Sequence, residues 1–187
     1  QVVLADEIHC DFVTKGNTYT PYATLDDSEI VRNSITYKSV SKSFNLSAMK
    51  CAYLFSTNPE YLDRITGAGQ HRQSMNTLGI IAAETAYNEC EDWLDQLVDY
   101  IDETQAFVEA FVRTKMPYVR FVKPEGTYLA WLEVSDAIDR VGAAVTAAED
   151  PSATPETAFQ RYLVEHANIH INPGSSYGVG GLSLIHI

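Results

Sequence analysis

Two short segments carry side chains able to do covalent chemistry: Asp6-Glu7-Ile8-His9 and Ser39-Val40-Ser41-Lys42-Ser43-Phe44-Asn45. Each follows an apolar, β-prone run, Val2 to Ala5 in the first case and Ile35 to Tyr37 in the second. This pattern predicts that Asp6 and Lys42 stand just past the ends of two buried strands, and strand ends in α/β sheets are where sites are built. A lysine amine forms a Schiff base with an aldehyde, and a carboxylate delivered from a neighbouring strand pairs with a protonated ring nitrogen. With small hydroxyl residues beside the lysine, these are the parts of a pyridoxal 5′-phosphate (PLP) site. They make the chain an enzyme candidate.

The elements that must position those groups follow from periodicity and punctuation. Strands are predicted at 2–5, 34–38 and 51–55, with a polar loop carrying Gly16, Asn17 and Pro21 after the first. Asn58-Pro59-Glu60 reads as a helix start, Asn capping and Pro at the first helical position, and the helix runs to about residue 66. A second helix spans about 72–89 and a third about 91–115. In the third, Trp93, Leu94, Leu97, Val98, Ile101, Val108, Phe111 and Val112 recur at three- and four-residue spacing, the mark of an amphipathic helix. Strands near 118–122 and 127–133 come next, then an exposed, Ala-rich insert from Ala137 to Thr154. A helix over 155–167 and a short strand over 169–172 lead into a glycine loop. Tyr128 and Trp131 read as core residues of their strand, and His166 and His170 as structural.

Of 187 residues, 45% are hydrophobic and 11% aromatic, too apolar for a disordered chain. The formal net charge of −12 argues against nucleic acid and anionic membranes as partners, since both select basic surfaces. Cys10, Cys51 and Cys90 lack metal-ligand spacing and read as reduced thiols of a cytoplasmic protein, with no metal site implied. No run is long and apolar enough for a transmembrane helix.

Taken together, the Asp-Glu-Ile-His and Ser-Lys-Ser-Phe-Asn segments resemble those of the fold-type I PLP enzymes. Within that aminotransferase class I/II superfamily, they resemble the MalY/PatB type of cystathionine β-lyase. There an Asp-Glu-Ile-His segment and a Ser-Lys-Ser/Thr-Phe-Asn segment carry the pyridine-nitrogen acid and the Schiff-base lysine. Further matches are Thr127-Tyr128-Leu129-Ala130-Trp131-Leu132 after Pro124-Glu125-Gly126, and Pro173-Gly174-Ser175-Ser176-Tyr177-Gly178. Several blocks in family order are far more specific than any one alone.

The resemblance implies an α/β, aspartate aminotransferase-like fold. Residues 1–90 would form the last part of the PLP-binding large domain, and residues 91–181 a linking helix and most of the small domain. It implies Lys42 as Schiff-base lysine and general base, and Asp6 as partner of the ring nitrogen. His9 falls where a cofactor-contacting tyrosine often stands. Ser39 and Ser41 flank the lysine, with Ser39 matching a phosphate-contacting position, and Lys50 falls where many relatives place a phosphate-binding arginine. Asn172-Pro173-Gly174 and Tyr177 would line the entrance. His71, Arg72 and Ser74 could approach the site of a neighbouring subunit, since such enzymes are usually homodimers. The implied substrate is an amino-acid thioether. An aminotransferase and a regulatory, partner-binding protein retaining the fold stand as alternatives.

At the end of the chain the family would continue with a Gly-rich turn and then a carboxylate-binding arginine. Leu182 to Ile187 instead reads as CTG TCT CTT ATA CAC ATC, which looks like a transposon adapter used in sequencing-library preparation, and is set apart from the fold. The chain is thus expected to be truncated at both ends. Residues 1–181 alone are expected to be inactive, lacking the helix start that would hold the phosphate and that arginine.

Overall fold

The computed structural model describes residues 1–68 and 76–178, together with the backbone of residues 183–186. His71, Arg72 and Ser74 lie outside the described residues. By its internal packing the chain divides into Gln1–Tyr100 and Ile101–Ile187. That division falls inside the long helix Glu91–Lys115.

The first unit is built on a three-stranded sheet of β1 (Val3–Asp6), β2 (Ser34–Ser39) and β3 (Ala52–Phe55), with β2 in the middle. β2 runs parallel to β1 and antiparallel to β3. Only the central strand is buried: Ser34, Ile35, Thr36 and Ser39 are covered, whereas Leu4 of β1 and Tyr53 of β3 are 63% and 44% exposed. The expectation of two buried strands is therefore corrected for β1. A strand is buried when it is flanked on both edges and covered on both faces, and β1 has a partner on one edge only among the described residues.

Between β1 and β2 the chain makes a 3-10 turn at Tyr22–Thr24 and a short helix, α1 (Ser28–Arg32), in a stretch expected to be loop. The Asp27 carboxylate starts α1 by accepting from the backbone N–H groups of Glu29 at 3.0 Å and Ile30 at 3.1 Å. After β2 comes a single helical turn, α2 (Val40–Ser43), then a 3-10 turn at Ser47–Met49. Helix α3 (Pro59–Gly67) begins as expected, with the Asn58 side chain accepting from Glu60 N–H and Pro at its first turn. Helix α4 (Thr77–Glu89) is capped by Asn76, whose amide also donates to the Met49 carbonyl at 3.3 Å.

Helix α5 (Glu91–Lys115) turns Leu94, Leu97, Val98 and Ile101 inward, with Gln105 and Val112 buried outright. Trp93 and Phe111 of the expected apolar stripe stay about half exposed, at 46% and 47%. The inward stripe is narrower than the run of apolar letters, because only positions repeating at 3.6 residues share a face.

The second unit carries β4 (Arg120–Phe121), β5 (Leu129–Glu133), α6 (Ser135–Arg140), α7 (Ala143–Glu149), α8 (Pro155–Ala167), β6 (Asn172–Pro173) and β7 (Ser183–His186). Its strands pair antiparallel in the order β4-β5-β7-β6. β7 lies in the segment that the sequence set apart.

The Ala-rich stretch is not an exposed insert. Ile138, Ala143 and Ala147 belong to a core with Val112, Leu132, Val134, Ala158, Phe159 and Ile171. Ala143 and Ala147 are four residues apart on one face of α7, and their small side chains let that helix lie close against α8. A composition that looked like a solvated insert is a packing surface. Trp131 is likewise not core: Ala130 and Leu132 point inward, so by alternation Trp131 points out, 40% exposed, and meets Tyr177 edge-on at 5.9 Å between ring centroids.

Gly79 is where α4 meets the strand-end turn. A Cβ built there would lie 2.8 Å from the Met49 carbonyl oxygen and 3.2 Å from Cys51 Cβ. Gly79→Ala in the full-length protein is expected to destabilise by about 1–3 kcal/mol through overpacking against backbone. Gly67→Ala, which meets nothing within 4 Å, is expected to leave stability unchanged or raise it by up to about 1 kcal/mol. Urea midpoints of the two variants check this pair.

Candidate active site

The register of the parallel pair fixes the site. Asp6, the last residue of β1, stands opposite Tyr37 of β2, and the Glu7 N–H extends the ladder to the Tyr37 carbonyl at 3.0 Å. Two residues beyond Tyr37 the chain leaves β2 and enters α2, which carries Lys42. The antiparallel pairing of Ser39 with Ala52 brings the Lys50 turn to the same end of the sheet. The carboxylate, the amine and both serines are thus delivered to one edge by two hydrogen-bonded strands.

His9 senses the charge of both the amine and the carboxylate. Burial, and then the positive charge of Lys42, hold its imidazole below the ordinary histidine pKa, while the charge of Asp6 pulls the other way. The strand register sets Asp6 and the Lys42 turn at one end of the sheet, and the His9 imidazole responds to the charge of both. Lys42 itself is half-buried, and Asp6 is exposed with Oδ1 accepting from the Ile8 N–H at 3.2 Å.

Ser39 and Ser41 are held by the backbone around the lysine. Ser39 is 7% exposed and caps α2 by accepting from the Ser41 N–H at 3.1 Å. Its oxygen also lies 2.7 Å from the Cys51 carbonyl and 2.9 Å from Ser41 Oγ. A serine has one proton to give, and the shorter contact assigns it to the carbonyl, which locks α2 to the start of β3. Ser47 Oγ closes the turn from the other side by donating to the Ser41 carbonyl at 3.0 Å. Lys50 is exposed and sits in the left-handed region at φ 48°, with its N–H closing onto the Ser47 carbonyl. Phe44, next but one to Lys42, stacks on Trp93 at 6.1 Å and meets Tyr87 edge-on at 5.5 Å. These rings seat the lysine turn against α4 and the start of α5.

Glu7, Cys10, Asp11, Lys38 and Ser43 carried no catalytic or binding role in the sequence. Glu7 is 5% exposed and accepts from the Tyr22 N–H at 2.7 Å. It also bonds the Tyr19 hydroxyl, whose pKa is pushed up to about 12, by burial first and then by the Glu7 charge. Ser43, fully buried, donates to Asp11 Oδ2. Cys10 Sγ donates to Asp11 Oδ1 at 3.3 Å and is hydrogen-bonded to Lys38. Burial keeps the Cys10 thiol above its usual pKa, with the Lys38 contact opposing. All five lie within or next to the two segments that carry the chemistry, but nothing in their spacing pairs them across the loop.

This donor set fits PLP. A primary amine and a carboxylate stand at the same end of adjacent parallel strands, with an imidazole coupled to both. Lys42 would hold the aldehyde carbon, Asp6 would face the ring nitrogen and His9 would stand beside the ring.

A family model for aminotransferase class I and II matches residues 1–185. The chain belongs to that family, which is PLP-dependent. It is 30% identical over 183 residues to cystathionine β-lyase PatB of Bacillus subtilis strain 168, covering 96% of this chain and 43% of that protein. Among solved structures it is similar to cystalysin from Treponema denticola, which contains pyridoxal 5′-phosphate, at 26% identity and a TM-score of 0.82. That match covers 99% of this chain and 44% of the other. It is also similar to the PLP-bound C-S lyase from Staphylococcus hominis, at 25% identity and a TM-score of 0.78, over 98% and 44% of the two chains. The fold is therefore the aspartate aminotransferase-like fold of PLP enzymes, and the chain spans less than half the length of these relatives.

The coupling at His9 has a measurable sign. Followed by NMR in the cofactor-free full-length protein, the His9 imidazole is expected to titrate below 6.5, the ordinary value. Lys42→Ala should move it up and Asp6→Asn should move it further down. The folded state then binds fewer protons at His9 than the unfolded state, so this group costs stability as pH falls below 6.5 and through the lowered value. A His9 titration indifferent to both substitutions would contradict the geometry.

Proposed function

We propose that the full-length protein is a PLP-dependent carbon-sulfur β-lyase that cleaves cystathionine or a related cysteine S-conjugate to a thiol, pyruvate and ammonia. The observation that carries the proposal is that the β1–β2 register brings Asp6 and the Lys42 turn to one end of the sheet. The wording of the Asp-Glu-Ile-His and Ser-Lys-Ser-Phe-Asn segments and the names of PatB and the S. hominis C-S lyase support the lyase reading.

Bound PLP supplies an electron sink that makes the Cα–H of an amino acid acidic. The Lys42 amine would be the general base that takes that Cα proton. Asp6 would keep the ring nitrogen protonated, and His9, its pKa lowered by burial and by the Lys42 charge, would offer the ring a hydrogen bond from an imidazole that is neutral at pH 7. Lys50 would meet the cofactor phosphate as a point charge, while Ser39 and Ser41, their hydroxyl protons used within the turn, would hold the segment that carries Lys42.

The same lysine serves an aminotransferase, in which the proton is returned to the cofactor rather than a thiol expelled from Cβ, and the family includes that class. Retention of both Lys42 and Asp6 speaks for catalysis over a purely regulatory role. Cystathionine offered to the full-length enzyme should yield pyruvate, ammonia and homocysteine in equal amounts with no keto acid added, and Lys42→Ala should lower kcat by about 10²–10⁴-fold. Turnover that needs a keto-acid acceptor and releases no ammonia would establish the aminotransferase instead.

A further inference from the structure

The β1–β2 ladder ends at the Glu7–Tyr37 bond, yet Lys42 and His9 lie beyond it, on a helical turn and a loop. The Ser43 hydroxyl crosses from that helical turn to Asp11 of that loop. Ser43 is fully buried and immediately follows Lys42. Asp11 follows His9 by two residues and is backed on its own side by the Cys10 thiol at 3.3 Å. Lys38, hydrogen-bonded to Cys10 from β2, sets a positive charge against the same carboxylate.

We propose that the Asp11–Ser43 bridge is a positioning clamp that sets the separation of Lys42 from Asp6 and His9, and through it the affinity for PLP. The cofactor ring is rigid, so an amine and a carboxylate engage its two ends together only at one spacing. A charge-assisted bond at a fully buried hydroxyl holds such a spacing where backbone pairing no longer does. With the Ser43 hydroxyl buried and given to Asp11, the pair would act through Lys42 and His9, the residues beside them in the chain. The inference rests on Lys42 being the lysine that binds the cofactor.

The test is a spectral titration of PLP into the full-length apoprotein and its Ser43→Ala, Ser43→Thr, Asp11→Asn and Lys42→Ala variants. Ser43→Ala and Asp11→Asn should each raise the cofactor dissociation constant about tenfold or more, the factor carried by one hydrogen bond to a charged group. Ser43→Thr, which keeps the hydroxyl at a position where the resembled segment carries Ser or Thr, should stay within about twofold of the parent. Because Thr keeps the bond while filling more space than Ala, this rescue separates positioning from general packing. Lys42→Ala should lose the Schiff-base absorbance altogether. If Lys42→Ala keeps that absorbance, the assignment of the lysine fails and the clamp falls with it. If Lys42→Ala loses it while Ser43→Ala and Asp11→Asn bind PLP as tightly as the parent, the clamp alone is overturned.

Discussion

The parallel pairing of two short strands is the constraint on which the rest of the first unit depends. Asp6 and Lys42 are 36 positions apart in the chain and become neighbours of one imidazole because β1 and β2 align Asp6 with Tyr37. A slip of one residue in that register would turn the whole of β1 over and send Asp6 to the opposite face. β2 is buried on both faces, Ile35 at 7% exposure on one and Thr36 at 1% on the other, which holds the central strand in place. The hydroxyl of Ser34, bonded to the Val31 carbonyl at 2.7 Å, ties the strand's start to α1.

Around this frame, buried polar groups are satisfied by loops rather than by more sheet. Glu7 holds the 19–22 segment through Tyr19 and Tyr22, Ser39 holds the start of β3, and Asp11 holds Ser43. Each bond joins two segments that diverge from the strand ends. This matters for chemistry because an amine and a carboxylate serve one cofactor only when neither can swing away. Burial, and then the Lys42 charge, favour the neutral form of His9, so it adds no second cation to this end of the sheet near pH 7.

Much of this was legible in the sequence, for identifiable reasons. The apolar run before Asp6 and the β-branched run before Lys42 marked strands, and Asn58-Pro59 marked a helix start, since those signals are local. Burial was harder to read. Val2 to Ala5 has the letters of a core strand yet lies at an edge, and Ala137 to Thr154 has the letters of an exposed insert yet supplies core residues, because burial depends on which partner arrives. Trp131 was misread for want of the strand's phase, which Ala130 and Leu132 set. The Asp11–Ser43 and Glu7–Tyr22 bonds could not be read at all: they join positions 32 and 15 residues apart, and no periodicity spans a loop.

The central claim is that Lys42 is the residue that holds the cofactor. Borohydride reduction of the full-length holoenzyme, followed by proteolysis and mass mapping, tests it most directly. A phosphopyridoxyl group recovered on the peptide carrying Lys42 is the predicted result. Recovery of that group on Lys38 or Lys50, each also at this part of the sheet, would contradict the account.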